Sequence, residues 1–145
     1  MEVRTATPAD LPIIANLLTQ MREANIDPSM LTQLDKFIDS PDRAIILTHD
    51  ETGKAVGMAV VNLIYKLPKI ECRIDEVIVS SEVRGKGYGK KLMAACEAWA
   101  WHHHSDIIEL TSRPSREAAN HLYQSIGYTI RETNVYIKKQ QELVA

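Results

Sequence analysis

The residues from Arg84 to Lys91 read Arg-Gly-Lys-Gly-Tyr-Gly-Lys-Lys, with glycines at 85, 87 and 89, four cations and no acid. Glycines at alternate positions let a backbone take positive φ and remove the Cβ atoms that would block an approaching ligand. A helix beginning here would present first amides that have no intrahelical acceptor. Free amides at the positive end of a helix dipole form an anion site suited to phosphate. Each charge-assisted hydrogen bond contributes roughly 1.5–3 kcal/mol, so several would hold a pyrophosphate without a metal. Two other phosphate motifs fail on detail. A P-loop needs four residues between its glycines and then Gly-Lys-Ser/Thr, whereas Gly85 and Gly89 have three between them and Lys91 stands where a hydroxyl should be. A dinucleotide fingerprint needs glycine where Lys90 stands, and it belongs early in its domain.

Other side chains here can do chemistry. Asp75 and Glu76 end the polar half of an expected strand, and strict alternation puts Asp75 on the face of Val77 and Val79, with Glu76 opposite. Tyr123 sits at i+4 from Ala119 on an expected helix. Cys72 and Cys96 have no paired His–carboxylate set, and no CxxC spacing suggests zinc. His102, His103 and His104 are adjacent on a helix, so they point about 100° apart and cannot converge on one ion. They read as a helix C-terminal turn, and no metal site is expected.

The elements that must position these groups follow from periodicity and punctuation. Val3–Ala6 reads as a short strand. Thr7-Pro8-Ala9-Asp10 reads as a helix start, with Leu11, Ile14, Leu18 and Met21 at helical spacing. Pro28 opens a second helical stretch carrying Met30, Leu31, Leu34 and Phe37. Residues 43–49 and 54–65 flank the turn Asp50-Glu51-Thr52-Gly53 as a hairpin, and residues 70–79 form a third run. A long helix follows the glycine loop, with Leu92, Cys96, Trp99 and His103 on one stripe. Residues 107–111 form a strand, and a helix opened by Pro114-Ser115 ends at Gly127. Residues 128–130 and 135–137 complete a last hairpin. The order β-α-α-β-β-β-α-β-α-β-β predicts an α/β (α+β) fold: a mixed, partly parallel sheet with helices on both faces.

Val77-x-Val79 followed by Arg84-x-x-Gly87-x-Gly89 resembles the acyl-CoA signature of the GNAT superfamily of N-acetyltransferases. Ala119-x-x-Leu122-Tyr123-x-x-x-Gly127-Tyr128 is similar to that family's second motif, and the element order agrees over nearly the whole chain. The resemblance implies acetyl-CoA as co-substrate. Its pyrophosphate would lie on Arg84, Gly85, Lys86, Gly87, Tyr88, Gly89 and Lys90, and its pantetheine arm beside Val77, Ile78 and Val79. It also implies Tyr123 as the general acid that protonates the leaving thiolate, and Glu76 as an acidic residue on the central strand able to serve as base. The family often carries Asn three residues before the motif alanine; here that position is Arg116, and Asn120 follows the alanine. Both are expected near the cofactor, Arg116 with a substrate anion as its other option. An alkylamine of pKa about 10.4 is neutral in only ~1 in 2,500 molecules at pH 7, which is why a base is needed.

Residues 1–140 read as one acyltransferase domain, with 141–145 a short tail, since 145 residues suit a single domain. The chain carries 17 Lys and Arg against 19 Asp and Glu, a net charge of −2, which disfavours nucleic acid as a partner. No apolar run is long enough to span a membrane and no secretory leader is evident, and two isolated thiols suit a cytoplasmic location. The expected activity is acetyl transfer from acetyl-CoA to a primary amine of a small molecule by direct attack. Modification of a protein or peptide amine, and a non-catalytic acyl-CoA-binding module, are the alternatives. The sequence leaves a homodimer open.

Overall fold

The computed structural model describes residues 2–141. Five strands form one sheet in sequential order: β1 (Val3–Thr5), β2 (Arg43–His49), β3 (Ala55–Tyr65), β4 (Ile70–Val79) and β5 (Ile107–Glu109). The first four pair antiparallel and β5 joins β4 in parallel, which makes the sheet mixed as expected. The parallel step needs a crossover, and α2 (Tyr88–His102) supplies it.

Strands β2 and β3 are apolar on both faces, and their alternation sorts the core into two halves. Ala44, Ile46, Ala59, Val61, Cys72 and Ile74 meet Leu92, Met93, Cys96 and Ala100 of α2, together with Tyr123 of α3 (Glu117–Ser125). Ile45, Leu47, Met58, Val60 and Ile78 meet Ile14, Leu17 and Leu18 of α1 (Leu11–Arg22). Helices therefore cover both faces. Leu92, Met93, Cys96 and Ala100 are wholly buried. Removing a Leu or Met side chain from water contributes about 1.5–3 kcal/mol, so this stripe fixes α2, and with it the glycine loop, against the sheet.

Two elements depart from expectation. The stretch after Pro28 is not an α-helix but two 3-10 turns, Pro28–Met30 and Leu34–Lys36. Leu31 leaves the helical region at ψ 56°, so hydrogen bonds cannot propagate, and Pro28 and Pro41 leave too little chain for a stable helix. The last hairpin is also absent: residues 128–141 form neither helix nor strand. Among the described residues nothing covers Val135 or Ile137, so alternation there has no buried face to enforce it. Of the expected tail, residues 142–145 lie outside the described residues.

Strand β4 carries the third departure. Val60 stands opposite Asp75 and Met58 opposite Ile78, so two steps of β3 face three of β4. Glu76 takes φ +51° at this bulge. The extra residue breaks alternation: Ile74 and Val77 pack into the same core half although three apart. Asp75 and Glu76 are therefore not sent to opposite faces, and both line one cavity.

Candidate active site

The glycine loop joins β4 to α2. Its two ends are anchored by Val83 and Tyr88, buried together with Val56 and flanked by Val79. Gly85 (φ +81°) and Gly87 (φ +86°, the N-cap of α2) take the left-handed conformation that side chains resist, and a Cβ at either would meet nothing in the chain. Backbone, not space, requires glycine there. Gly89 differs: it is helical, and a Cβ would stand 3.0 Å from Leu122 Cδ2. Its role is to let α3 approach the start of α2, so the third glycine of one motif seats the leucine of the other. None of the amides from Lys86 to Lys90 reaches a carbonyl among the described residues, and the first α-helical bond runs from the Lys91 amide to the Gly87 carbonyl at 3.2 Å. Arg84, Lys86, Lys90 and Lys91 are exposed, and none pairs with a carboxylate among the described residues. These donors fit a pyrophosphate.

Strand β4 pairs with β5 only from Glu71 to Arg73, and beyond that the strands diverge. The edge from Ile74 to Val79 facing away from β3 then has no strand partner, which leaves backbone groups free to pair with an extended ligand. A cavity of about 570 Å³ opens beside it, walled by the end of α1, by β3 and β4, and by the end of β5 with α3. Val77, Asp75, Glu76, Arg116 and Tyr123 all line it.

The carboxylates differ in their surroundings. One oxygen of Glu76 accepts from Arg22 at the C-terminus of α1, and the other is buried without a partner. Asp75 meets Arg73 at 3.7 Å and the Asn62 side-chain amide at 3.5 Å. Burial lifts the Asp75 carboxyl above the usual range; Arg73 opposes this and neighbouring Glu76 adds to it. Tyr123 is 5% exposed, and its hydroxyl bonds to no group among the described residues. Burial raises its phenol, while the Arg116 guanidinium pulls the other way. A phenol held protonated at neutral pH is competent to give up a proton to a stronger base.

The second motif builds the platform under Tyr123. Gly127 takes φ +106°, its amide donates to the Gln124 carbonyl at 3.2 Å, and the Tyr128 amide donates to the Tyr123 carbonyl at 2.9 Å. This is a Schellman closure of α3. Tyr128 packs edge-on against Tyr123 at 6.2 Å and donates its hydroxyl to Glu97 at 2.9 Å.

Several of the expected cofactor-binding residues also have contacts inside the fold. The Ile78 side chain packs against α1 and the Tyr88 side chain belongs to the core, so only their backbones face the proposed ligand path. The Asn120 side-chain amide donates to the Arg113 and Arg116 carbonyls at 2.8 and 2.9 Å, fixing the turn into α3. Burial pushes the Cys72 thiol up to about 11 and the Cys96 thiol up to about 12, which suits packing rather than nucleophilic attack. His103 caps α2, stacked on Trp99 at 4.1 Å, and no group able to hold a metal ion occurs among the described residues. Arg22, Arg73 and Asn62 escaped sequence reading; Arg22 lies 54 residues from Glu76, and no local pattern connects them.

No helix among the described residues is long and apolar enough to cross a membrane. No curated protein sequence matches the chain. Solved structures do. A transcriptional regulator from Bacillus halodurans C-125 superimposes with a TM-score of 0.85 at 19% identity, over 95% of this chain and 99% of that one. An acetyltransferase of Trypanosoma brucei gives 0.78 at 22% identity, covering 95% and 99%. AAC(6')-Iy, solved with the bisubstrate analogue CoA-S-monomethyl-acetylneamine, gives 0.83 at 17% identity, covering 97% and 98%. Such identities speak for the fold. The profile of the acetyltransferase (GNAT) family matches residues 11–128, which span both motifs and every wall of the cavity, and the chain belongs to that family.

Proposed function

We propose that this chain transfers an acetyl group from acetyl-CoA to a primary amine of a small molecule by direct attack. The observation that carries the reading is the cavity itself: the unpartnered edge of β4, two carboxylates and the Tyr123 phenol meet in it, and the loop of free amides opens at the end of the same strand. Lys86 to Lys90 would hold the pyrophosphate by their amides, with Arg84 and Lys86 adding charge, and β4 from Val77 to Val79 would pair with the pantetheine arm. Acetyl-CoA supplies an activated thioester carbonyl.

The chain's own groups handle two protons. Glu76 lines the cavity with one oxygen buried and without a partner among the described residues, and Asp75 lies beside it. Glu76, directly or through water, takes the proton that makes the amine nucleophilic. The amine nitrogen then bonds to the acetyl carbon, the carbon–sulfur bond breaks as Tyr123 gives its proton to the departing sulfur, and the surplus proton on the new amide nitrogen passes through water to the tyrosinate. Arg116 stabilises the transient phenolate, consistent with its opposing pull on Tyr123. Two buried free thiols support a reducing, cytoplasmic setting.

The test is a thiol-release assay with acetyl-CoA against simple amines, amino acids, aminophosphonates, aminoglycosides and peptides. Release with at least one small amine, at a rate well above hydrolysis, is expected. Release with peptides alone would move the reading to a protein acceptor, and CoA binding with no release from any of them would leave a binding module.

A further inference from the structure

Two residues on the cavity's walls carry a buried polar atom with no hydrogen-bond partner among the described residues, and the two atoms are of opposite kind: Glu76 Oε2 accepts and Arg73 Nε donates. The other Glu76 oxygen is held by Arg22. Arg73 is held by nothing so close. Asp75 and Glu109 each stand 3.7 Å from its guanidinium, beyond hydrogen-bonding range, and Glu109 pairs more tightly with Arg131 at 2.8 Å. The Arg73 side chain keeps 38% of its surface exposed, so its guanidinium is within reach of a bound molecule. Asn62 is the register partner of Arg73 on β3, and its side-chain amide makes only one long contact, to Asp75 at 3.5 Å. Arg116, the cavity's other cation, is engaged elsewhere, since its charge bears on the Tyr123 phenol. Arg73 and Glu76 are three steps apart on β4, a rise of roughly 10 Å, so one small molecule can meet both.

We propose that the acceptor is an amine that also carries a single carboxylate, with its ammonium at Glu76 and its carboxylate at Arg73 and the Asn62 amide. The inference rests on the acetyl transfer proposed above and names the class of its acceptor. A planar carboxylate matches the guanidinium fork with two parallel hydrogen bonds. The neighbouring acids set the charge that this end accepts. Asp75 and Glu109 lie close enough to the guanidinium to repel an incoming anion, and they repel a doubly charged phosphonate more than a carboxylate. A polycationic amine fares worse for the opposite reason, because its second ammonium would stand against Arg73 with Arg22 close by on Glu76. Phe37, Met21 and Ile64 add apolar wall to the same cavity, which suits the short hydrocarbon between the two charged ends.

Thiol release from acetyl-CoA by the whole chain tests this with matched pairs: glycine, β-alanine and γ-aminobutyrate, each beside its own amide. Within a pair the length is the same and only the negative charge is lost. Aminoethylphosphonate and spermidine complete the panel. For the best length, kcat/KM is expected to be roughly 10- to 100-fold higher for the acid than for its amide, the effect of one or two charge-assisted hydrogen bonds. In Arg73→Gln that ratio should fall toward one, a change that a loss of folded protein would not produce because it lowers both rates alike. Equal rates within every pair, or a preference for spermidine or the phosphonate, overturns the proposal and leaves acetyl transfer standing. A ratio that survives in Arg73→Gln overturns it too. If no amine releases thiol, the activity fails and the site is read by calorimetry of the CoA-loaded chain with the same amino acids. Binding that weakens at least 10-fold in Arg73→Gln then upholds the carboxylate site, and no binding overturns it.

Discussion

Tyr123 is surrounded by Cys96, Tyr128 and the β4 face of the core, and its hydroxyl has no hydrogen-bond partner among the described residues. Tyr123 lines the cavity, where its hydroxyl is open to whatever occupies that space. Tyr123→Phe keeps the ring on Tyr128 and removes only the hydroxyl. Since no internal bond is lost, stability should change by less than about 0.5 kcal/mol. If the phenol is the proton donor, kcat should fall about 100-fold or more while KM for acetyl-CoA holds. Steady-state kinetics beside a thermal melt separate the two roles: an unchanged kcat returns Tyr123 to the core. The carboxylates show how residue-scale reading can go astray. Alternation separated Asp75 from Glu76, and the bulge at φ +51° brought both to the same cavity. A bulge is a property of the strand pair, so a single strand's sequence does not announce it.

At the scale of elements, the turn from β4 into α2 decides whether a phosphate site exists. Gly87 caps the helix at φ +86°, with nothing within 4 Å of where its Cβ would be. Gly87→Val places a β-branched residue in the left-handed region, at a cost of about 1–3 kcal/mol, and sets a side chain over the free amides. One charge-assisted bond is worth about 1.5–3 kcal/mol, so losing even one should weaken CoA binding by roughly 10- to 100-fold. Calorimetric titration with CoA, run beside circular dichroism to confirm the fold, checks this. Unchanged affinity would place the phosphates elsewhere. This turn was legible in the sequence because glycines, cations and a helix entry announce it locally. So were β2, β3, β4 and the stripe of α2, whose apolar faces are set by burial within the chain itself. The segment from Pro28 to Phe37 was not, because its apolar spacing is helical while its backbone turns at Leu31. Nor was the fate of residues 128–137, since their alternation states a preference for a strand without naming a neighbour to pair with. The pairing of Arg22 with Glu76 was out of reach for a third reason: it exists only once α1 lies across β4.

At the scale of the whole molecule, a net charge of −2 conceals a basic loop against an acidic remainder, and the acids carry a pH dependence. Asp10 is buried at the junction of β1 and α1, where it accepts two bonds from Arg4 at 2.7 and 2.8 Å and one from the Thr7 amide at 2.8 Å. The Arg4 bond, foremost, holds its carboxyl well below the usual range, against the cost of burial. Asp27 and Asp50 are lowered too, by local hydrogen bonds in exposed turns where solvent screens the effect. Asp75 is shifted the other way. A carboxyl whose folded pKa is depressed stabilises the fold above the unfolded value, near 3.9, and that contribution is lost as pH falls toward the folded value. Asp75 has the opposite sign, its ionised form opposing the fold as pH rises through its raised pKa, so it softens the neutral plateau rather than the acid limb. Asp10 is therefore the carboxyl expected to contribute most to the acid limb, through the tie between the first strand and the first helix. Asp10→Asn should lower the melting temperature at neutral pH by several degrees, corresponding to about 1–3 kcal/mol for a broken charged network. It should also flatten the fall in melting temperature below about pH 4, because the group that would have been protonated is gone. Melts from pH 7 down to pH 3 for both proteins make the comparison. Two parallel curves would mean that the acid limb belongs to other carboxylates and that the clasp between β1 and α1 contributes no pH dependence of its own.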